Sequence, residues 1–180
     1  LATPSAAAAE EQAGRALLEL LDLPRESSVG FVTGATMANF TGLAAARGEV
    51  LRRAGWDVEA DGLFGAPPIN VIIGEEAHST VFAALKYLGH GARRVVKVAV
   101  DRNGAMIPAA FIEALAQTSG PVIAIAQAGQ INTGAFDPFT LIANAVKARN
   151  GWLHIDGAFG LWARATKTHR HLGEGLELAD

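Results

Sequence analysis

Four runs of apolar, mostly β-branched residues recur along the chain, each followed by a stretch with helical spacing. The runs are INVIIG (Ile69 to Gly74), RVVKVAV (Arg94 to Val100), PVIAIAQ (Pro121 to Gln127) and WLHID (Trp152 to Asp156). Most are nearly continuous in hydrophobicity, as in strands covered by helices on both faces. Helical patterns cover Glu10 to Leu21, Thr36 to Arg53, Ser79 to Leu88, Pro108 to Gln117 and Pro138 to Arg149,. Pro108 and Pro138 stand where a first helical turn tolerates proline. This alternation predicts an α/β layer sandwich around a mostly parallel sheet.

The chain has 180 residues, half of them hydrophobic, enough for one sizeable core and one domain,. Its net charge of −3 gives no electrostatic reason to expect nucleic acid or an anionic membrane as partner,. Cysteine is absent, which rules out disulfides and thiolate chemistry and fits a reducing, cytoplasmic setting,. The opening LATPSAAAAEEQAGRALLELL lacks the basic start of a signal peptide, and Glu10 and Glu11 interrupt it,. It reads as a loop leading into an amphipathic helix. No apolar run approaches the ~20 residues of a membrane span. The first residue is not Met, so the chain is expected to be a piece of something longer. Gly55 to Pro68 reads as a surface excursion, and TKTHRHLGEGLELAD shows no clear closing element,.

Four stretches carry residues suited to chemistry. In SVGFVTGATMANF a short apolar strand runs into TGAT, where a helix starts. The unpaired N–H groups of a helix start suit a phosphate, and small residues (Gly34, Ala35, Thr36) let it approach. The competing reading is that Thr33 or Thr36 caps the helix. His78, between the first run and its helix, either caps that helix or stacks on a flat ring and exchanges protons. AQAGQINTGAFDP places a glycine-bearing loop at the carboxyl end of a strand, where open α/β sheets put ligands. There Asp137 reads as a helix cap.

The fourth stretch is WLHIDGAFG. On a strand, His154 and Asp156 point to the same side, and Asp156 ends the strand at the ligand rim. A buried carboxylate needs a partner. A metal is one candidate, although no further His or carboxylate cluster completes a ligand set. A structural arginine is another, and the third is the protonated ring nitrogen of a cofactor. His154 is expected to hydrogen-bond and orient Asp156 from behind.

Taken together and in order, TGATMAN, AHSTVFAALKYLG, AGQINTGAFDP and WLHIDGAFGLWA resemble the pyridoxal-phosphate-dependent amino-acid decarboxylases of the aromatic-amino-acid and glutamate type. The resemblance covers roughly Glu11 to Asp180. It implies the aspartate-aminotransferase fold, with residues 1–180 a partial cofactor-binding large domain, and pyridoxal 5'-phosphate as cofactor. It also implies an amino-acid substrate losing its α-carboxylate, and a homodimer for the full-length parent. By the same resemblance Ala35 and Thr36 match the phosphate-holding positions. His78 matches the histidine stacked on the cofactor ring, Asp156 the partner of the pyridine nitrogen, and Ala158 the small residue on the ring's other face.

Two positions depart from the family pattern: Met37 stands for a usual glutamate, and Gln130 for a common threonine. The family's Schiff-base lysine follows a histidine. None of the four lysines here, Lys86, Lys97, Lys147 and Lys167, directly follows one. The expectation is therefore a chain that stops before that lysine and is inactive by itself. An aminotransferase or carbon–carbon lyase of the same fold, and a non-catalytic fragment or pseudo-enzyme, are the alternatives.

Overall fold

A computed structural model describes residues 3–180. Six α-helices precede or connect the strands: α1 (Pro4–Leu20), α2 (Ala35–Arg53), the short α3 (Val58–Asp61), α4 (Ser79–Tyr87), α5 (Pro108–Ala116) and α6 (Phe139–Ala148). Four strands, β1 (Asn70–Gly74), β2 (Val95–Val98), β3 (Val122–Gln127) and β4 (Trp152–Asp156), form one fully parallel sheet in the order β2-β1-β3-β4. All four expected runs are strands, and the expected mostly parallel α/β sandwich is the observed architecture.

Strand alternation sorts the core into two layers. Val71, Ile73, Ile123 and Ile125 face α2 and α4, meeting Leu43, Ala46, Val50, Val81 and Leu85. Ile72, Val122, Ala124, Ala126 and Leu153 face α5 and α6, meeting Phe111, Leu115, Phe139, Ile142 and Val146. The sheet grows from β1 to β2 in one direction and then from β3 to β4 in the other. Crossover connections of one hand therefore place α4 on one face and α5 and α6 on the other. The reversal opens a crevice at the carboxyl ends of β1 and β3.

Several local expectations are corrected. The opening is helical from Pro4, not a loop up to Glu10; Leu1 and Ala2 lie outside the described residues. Proline at the first turn and the alanines behind it are good helix starters, although this turn is exposed and has no apolar period,. The stretch before TGAT is not a strand: Val29, Phe31 and Val32 are exposed and pair with no sheet neighbour. The excursion at 55–68 contains α3, capped by Asp57, whose carboxylate accepts the N–H groups of Glu59 and Ala60. The last segment folds into three 3-10 turns, Gly160–Ala165, Arg170–Gly173 and Leu176–Leu178. Buried Arg164 ties them to the end of α1 by donating to the carbonyls of Leu21, Asp22 and Gly173 and to the Glu177 carboxylate. Among the described residues no helix is long and apolar enough to cross a membrane.

Candidate active site

The crevice at the strand ends holds a cavity of about 70 Å³ whose walls include Ala35, His78, Gln127, Gly129, Asp156 and Ala158. Four of the five expected site residues thus meet at one place, although they are far apart in sequence. Each arrives on a different element: Ala35 at the start of α2, His78 between β1 and α4, Asp156 at the end of β4, and Ala158 just beyond it. Thr36 lies in the same first turn of α2 but does not line the cavity.

The start of α2 is uncapped by any side chain, and its N-cap is Gly34 at φ 145°. Neither Thr33 nor Thr36 serves as the cap, so the first-turn N–H groups next to the cavity keep the donor capacity that an anion requires,. His78, by contrast, does cap α4. Its Nδ1 accepts the Thr80 N–H at 3.3 Å and lies 2.8 Å from the Thr80 hydroxyl. The capping reading is the observed one: it occupies Nδ1 and fixes the ring, which leaves Nε2 outside the cap,.

Two glycines bring the loop after β4 against the end of β3. The Gly160 N–H donates to the Ala128 carbonyl at 2.9 Å. A Cβ on Gly160 would stand 2.4 Å from the Ala128 carbonyl carbon, and one on Gly129 would stand 2.8 Å from the Gly160 nitrogen. This close approach, which only glycine permits, sets Ala158 and Phe159 beside Ala128 and Gly129 along the cavity,.

Asp156 is 9% exposed, and the ion pairs found among the described residues leave it out. The structural arginine is therefore not its partner. Its Oδ1 accepts the Ala158 N–H and its Oδ2 accepts the Asn39 amide, both at 3.1 Å. His154 does share the strand face, but the expected direct bond to Asp156 is replaced by a bridge. Its Nε2 meets the Asn39 Oδ1 at 2.8 Å, and Asn39 in turn holds Asp156. Burial presses the His154 ring down to a pKa of about 4, against a smaller upward pull from Asp156, so the ring is neutral,.

Asn39 is the residue that the motifs alone did not single out. The signal was there: Asn39, Leu43, Ala46 and Val50 recur at helical spacing, so a polar residue extends an otherwise apolar buried stripe,. Thr80 and Gln127 also line the cavity. Asp137 is not a cap. Its two carboxylate oxygens accept the N–H groups of Met106 and Gln127, each at 2.7 Å, and join the end of β3 to the loop before α5. Gln130 is not among the residues lining the cavity and folds its own loop, accepting from the N–H groups of Asn132 and Thr133. Met37 is exposed, and none of the four lysines lines the cavity.

Residues 2–180 match the family described as the pyridoxal-dependent decarboxylase conserved domain. L-2,4-diaminobutyrate decarboxylase of Rhizobium meliloti (strain 1021) is 33% identical over 98% of this chain, which covers 34% of that protein. Cysteine sulfinic acid decarboxylase of Mus musculus is 34% identical over 69% of the chain, covering 26% of its own length. A crystal structure of mouse CSAD superposes with a TM-score of 0.88 at 29% identity, over 99% of this chain and 37% of that one. The chain thus spans about a third of the length of these proteins.

Proposed function

Because the chain belongs to the pyridoxal-dependent decarboxylase family, whose cofactor is pyridoxal 5'-phosphate, we propose that the protein carrying it decarboxylates an L-amino acid, and that the cavity at the strand ends is where the cofactor sits. Residues 1–180 are, on this reading, part of the cofactor-binding large domain. The observation that carries it is Asp156: a buried carboxylate, held by two N–H donors, with no cationic side chain paired to it among the described residues. A protonated ring nitrogen supplies that cation. The uncapped start of α2 at Ala35 and Thr36 suits a phosphate, and His78 and Ala158 offer walls for a flat ring.

Bound there, pyridoxal phosphate supplies an electron sink for the pair left at the α-carbon when carbon dioxide departs. The remaining work falls to the chain. Asp156 would keep the ring nitrogen charged. The first turn of α2 would anchor the phosphate, Ala35 from the cavity wall and Thr36 from the next position. Ala158 would support the ring without crowding it. His78, its Nδ1 fixed by Thr80, would face the ring and present Nε2 for proton exchange with the substrate. The amine that holds the cofactor is none of Lys86, Lys97, Lys147 or Lys167, and the 180-residue chain by itself is inactive. Exposed Phe31, Phe159 and Trp162 support assembly as a homodimer, and the cysteine-free composition supports a cytoplasmic setting.

The test is product analysis on the full-length protein supplied with pyridoxal phosphate and a panel of amino acids. Carbon dioxide and the matching amine are expected. An oxo acid would instead make it an aminotransferase, and no turnover of any amino acid would make it a pseudo-enzyme.

A further inference from the structure

We infer that Asn39 is a positioning residue for the cofactor: clamped by His154, it presents its amide N–H to Asp156 and so holds that carboxylate in place at the cavity wall. This rests on the cofactor reading above, and deepens it.

The inference comes from three side chains and one missing one. Asn39 is 3% exposed and lies on the face of α2 that packs on β4. Its amide has two ends and both are occupied: Oδ1 lies 2.8 Å from His154 Nε2, and Nδ2 lies 3.1 Å from Asp156 Oδ2. The orientation cannot be reversed. A flipped amide would set its oxygen against a carboxylate oxygen, acceptor against acceptor. The same logic fixes the imidazole, since an Asn39 oxygen demands a proton on Nε2. Gly42, one turn along α2, provides the space. A Cβ there would stand 2.9 Å from His154 Cε1 and 3.0 Å from Nδ1. The ring is therefore wedged between α2 and β4, with a single direction for its Nε2–H.

The consequence concerns charge. A carboxylate that accepts N–H groups from both Asn39 and Ala158 is held in one orientation by two hydrogen bonds to its oxygens,. An ionised Asp156 favours a protonated ring nitrogen, and its electron-withdrawing power depends on that proton. Asn39 itself is not among the residues lining the cavity. It acts through Asp156.

Asn39→Asp separates this role from packing. The substitution is nearly isosteric and still accepts the His154 proton. Its second oxygen, however, faces Asp156 Oδ2, and two carboxylates at that distance must share a proton. The measurement is titration of the full-length protein, as parent chain, and of its Asn39→Asp variant with pyridoxal 5'-phosphate carrying 15N in its ring, reading affinity and the ring 15N shift, with Asp156→Ala alongside. Expected are a protonated ring nitrogen in the parent chain and about tenfold weaker binding in Asn39→Asp. The 15N signal of the variant should move toward the unprotonated position, while its thermal unfolding stays close to that of the parent. A purely structural asparagine would weaken binding and folding together and leave the shift of the bound ring unmoved; that result overturns the inference. Equal affinity and an equal shift in Asn39→Asp overturn it as well. Absence of binding by the parent chain, or binding indifferent to Asp156→Ala, overturns the cofactor reading itself.

Discussion

Substituting Gly42 by alanine tests the wedge that the Asn39 bridge requires. Helix α2 contains two interior glycines, Gly42 and Gly48, which share the helix but not their surroundings. A Cβ on Gly48 meets nothing within 4 Å, whereas one on Gly42 meets the His154 ring at 2.9 and 3.0 Å. Alanine in place of glycine in a helix interior is worth about 0.8–1.0 kcal/mol, so both changes start from the same gain. At Gly42 the ring must retreat by roughly half an ångström to restore ordinary contact. That stretches a 2.8 Å bond to Asn39 toward its breaking range,. Losing a hydrogen bond costs about 1 kcal/mol, and leaving a buried amide unsatisfied costs about 1–3 kcal/mol. Gly48→Ala should therefore stabilise the chain by about 1 kcal/mol, while Gly42→Ala should come out neutral to about 2 kcal/mol less stable. Urea unfolding of both variants measures the difference, and 15N NMR of the His154 ring reads whether its Nε2 proton is still held. Equal stabilisation of the two variants, with the His154 signals unchanged, would show that the close packing of α2 on β4 is wrong.

Acidification should expose the buried imidazole. His154 is held down to a pKa of about 4 in the folded chain, whereas an unfolded histidine titrates near 6.5,. Above the unfolded value both states are neutral there, and the histidine costs nothing. As pH falls from about 6.5 to 4 the unfolded chain takes up the proton first, so the stability of the parent relative to His154→Gln should drop by about 3 kcal/mol; a difference independent of pH contradicts this. Asp137→Asn removes one of two acceptors for the N–H groups of Met106 and Gln127, and urea unfolding should show a loss of about 1–3 kcal/mol,. Gly160→Ala places a Cβ 2.4 Å from backbone at Ala128, so the loop carrying Ala158 must move. Cofactor affinity should fall at least tenfold (about 1.4 kcal/mol) even where the chain stays folded, which a titration with pyridoxal phosphate measures.

The strands were legible because a parallel sheet covered on both faces leaves an unbroken apolar run in the sequence, as in PVIAIAQ,. Asp156 was legible for the opposite reason, a charge at the end of such a run. What escaped depends on contacts that no local pattern records. Val29, Phe31 and Val32 are strand-like in composition but find no neighbour to pair with. The choice for Asp137 between capping α6 and bridging β3 to Met106 depends on where the chain brings residue 106. Asn39 meets residues more than a hundred positions away, and its only local trace was a polar side chain on a buried helical stripe. The turns after β4 escaped because they are tied by Arg164 to carbonyl groups at the end of α1, contacts set by tertiary structure and not by propensity.

The claim that joins fold to function is that the Asp156 carboxylate answers the ring nitrogen of pyridoxal phosphate. Direct titration of the full-length protein with pyridoxal 5'-phosphate, followed by the 15N shift of the ring nitrogen, compares the parent with Asp156→Asn. That substitution keeps the shape and removes the charge. The account predicts saturable binding with a protonated nitrogen in the parent, and weaker binding with an unprotonated nitrogen in the variant. A ring nitrogen that keeps its proton, and an affinity that holds, when Asp156 is neutral would contradict it.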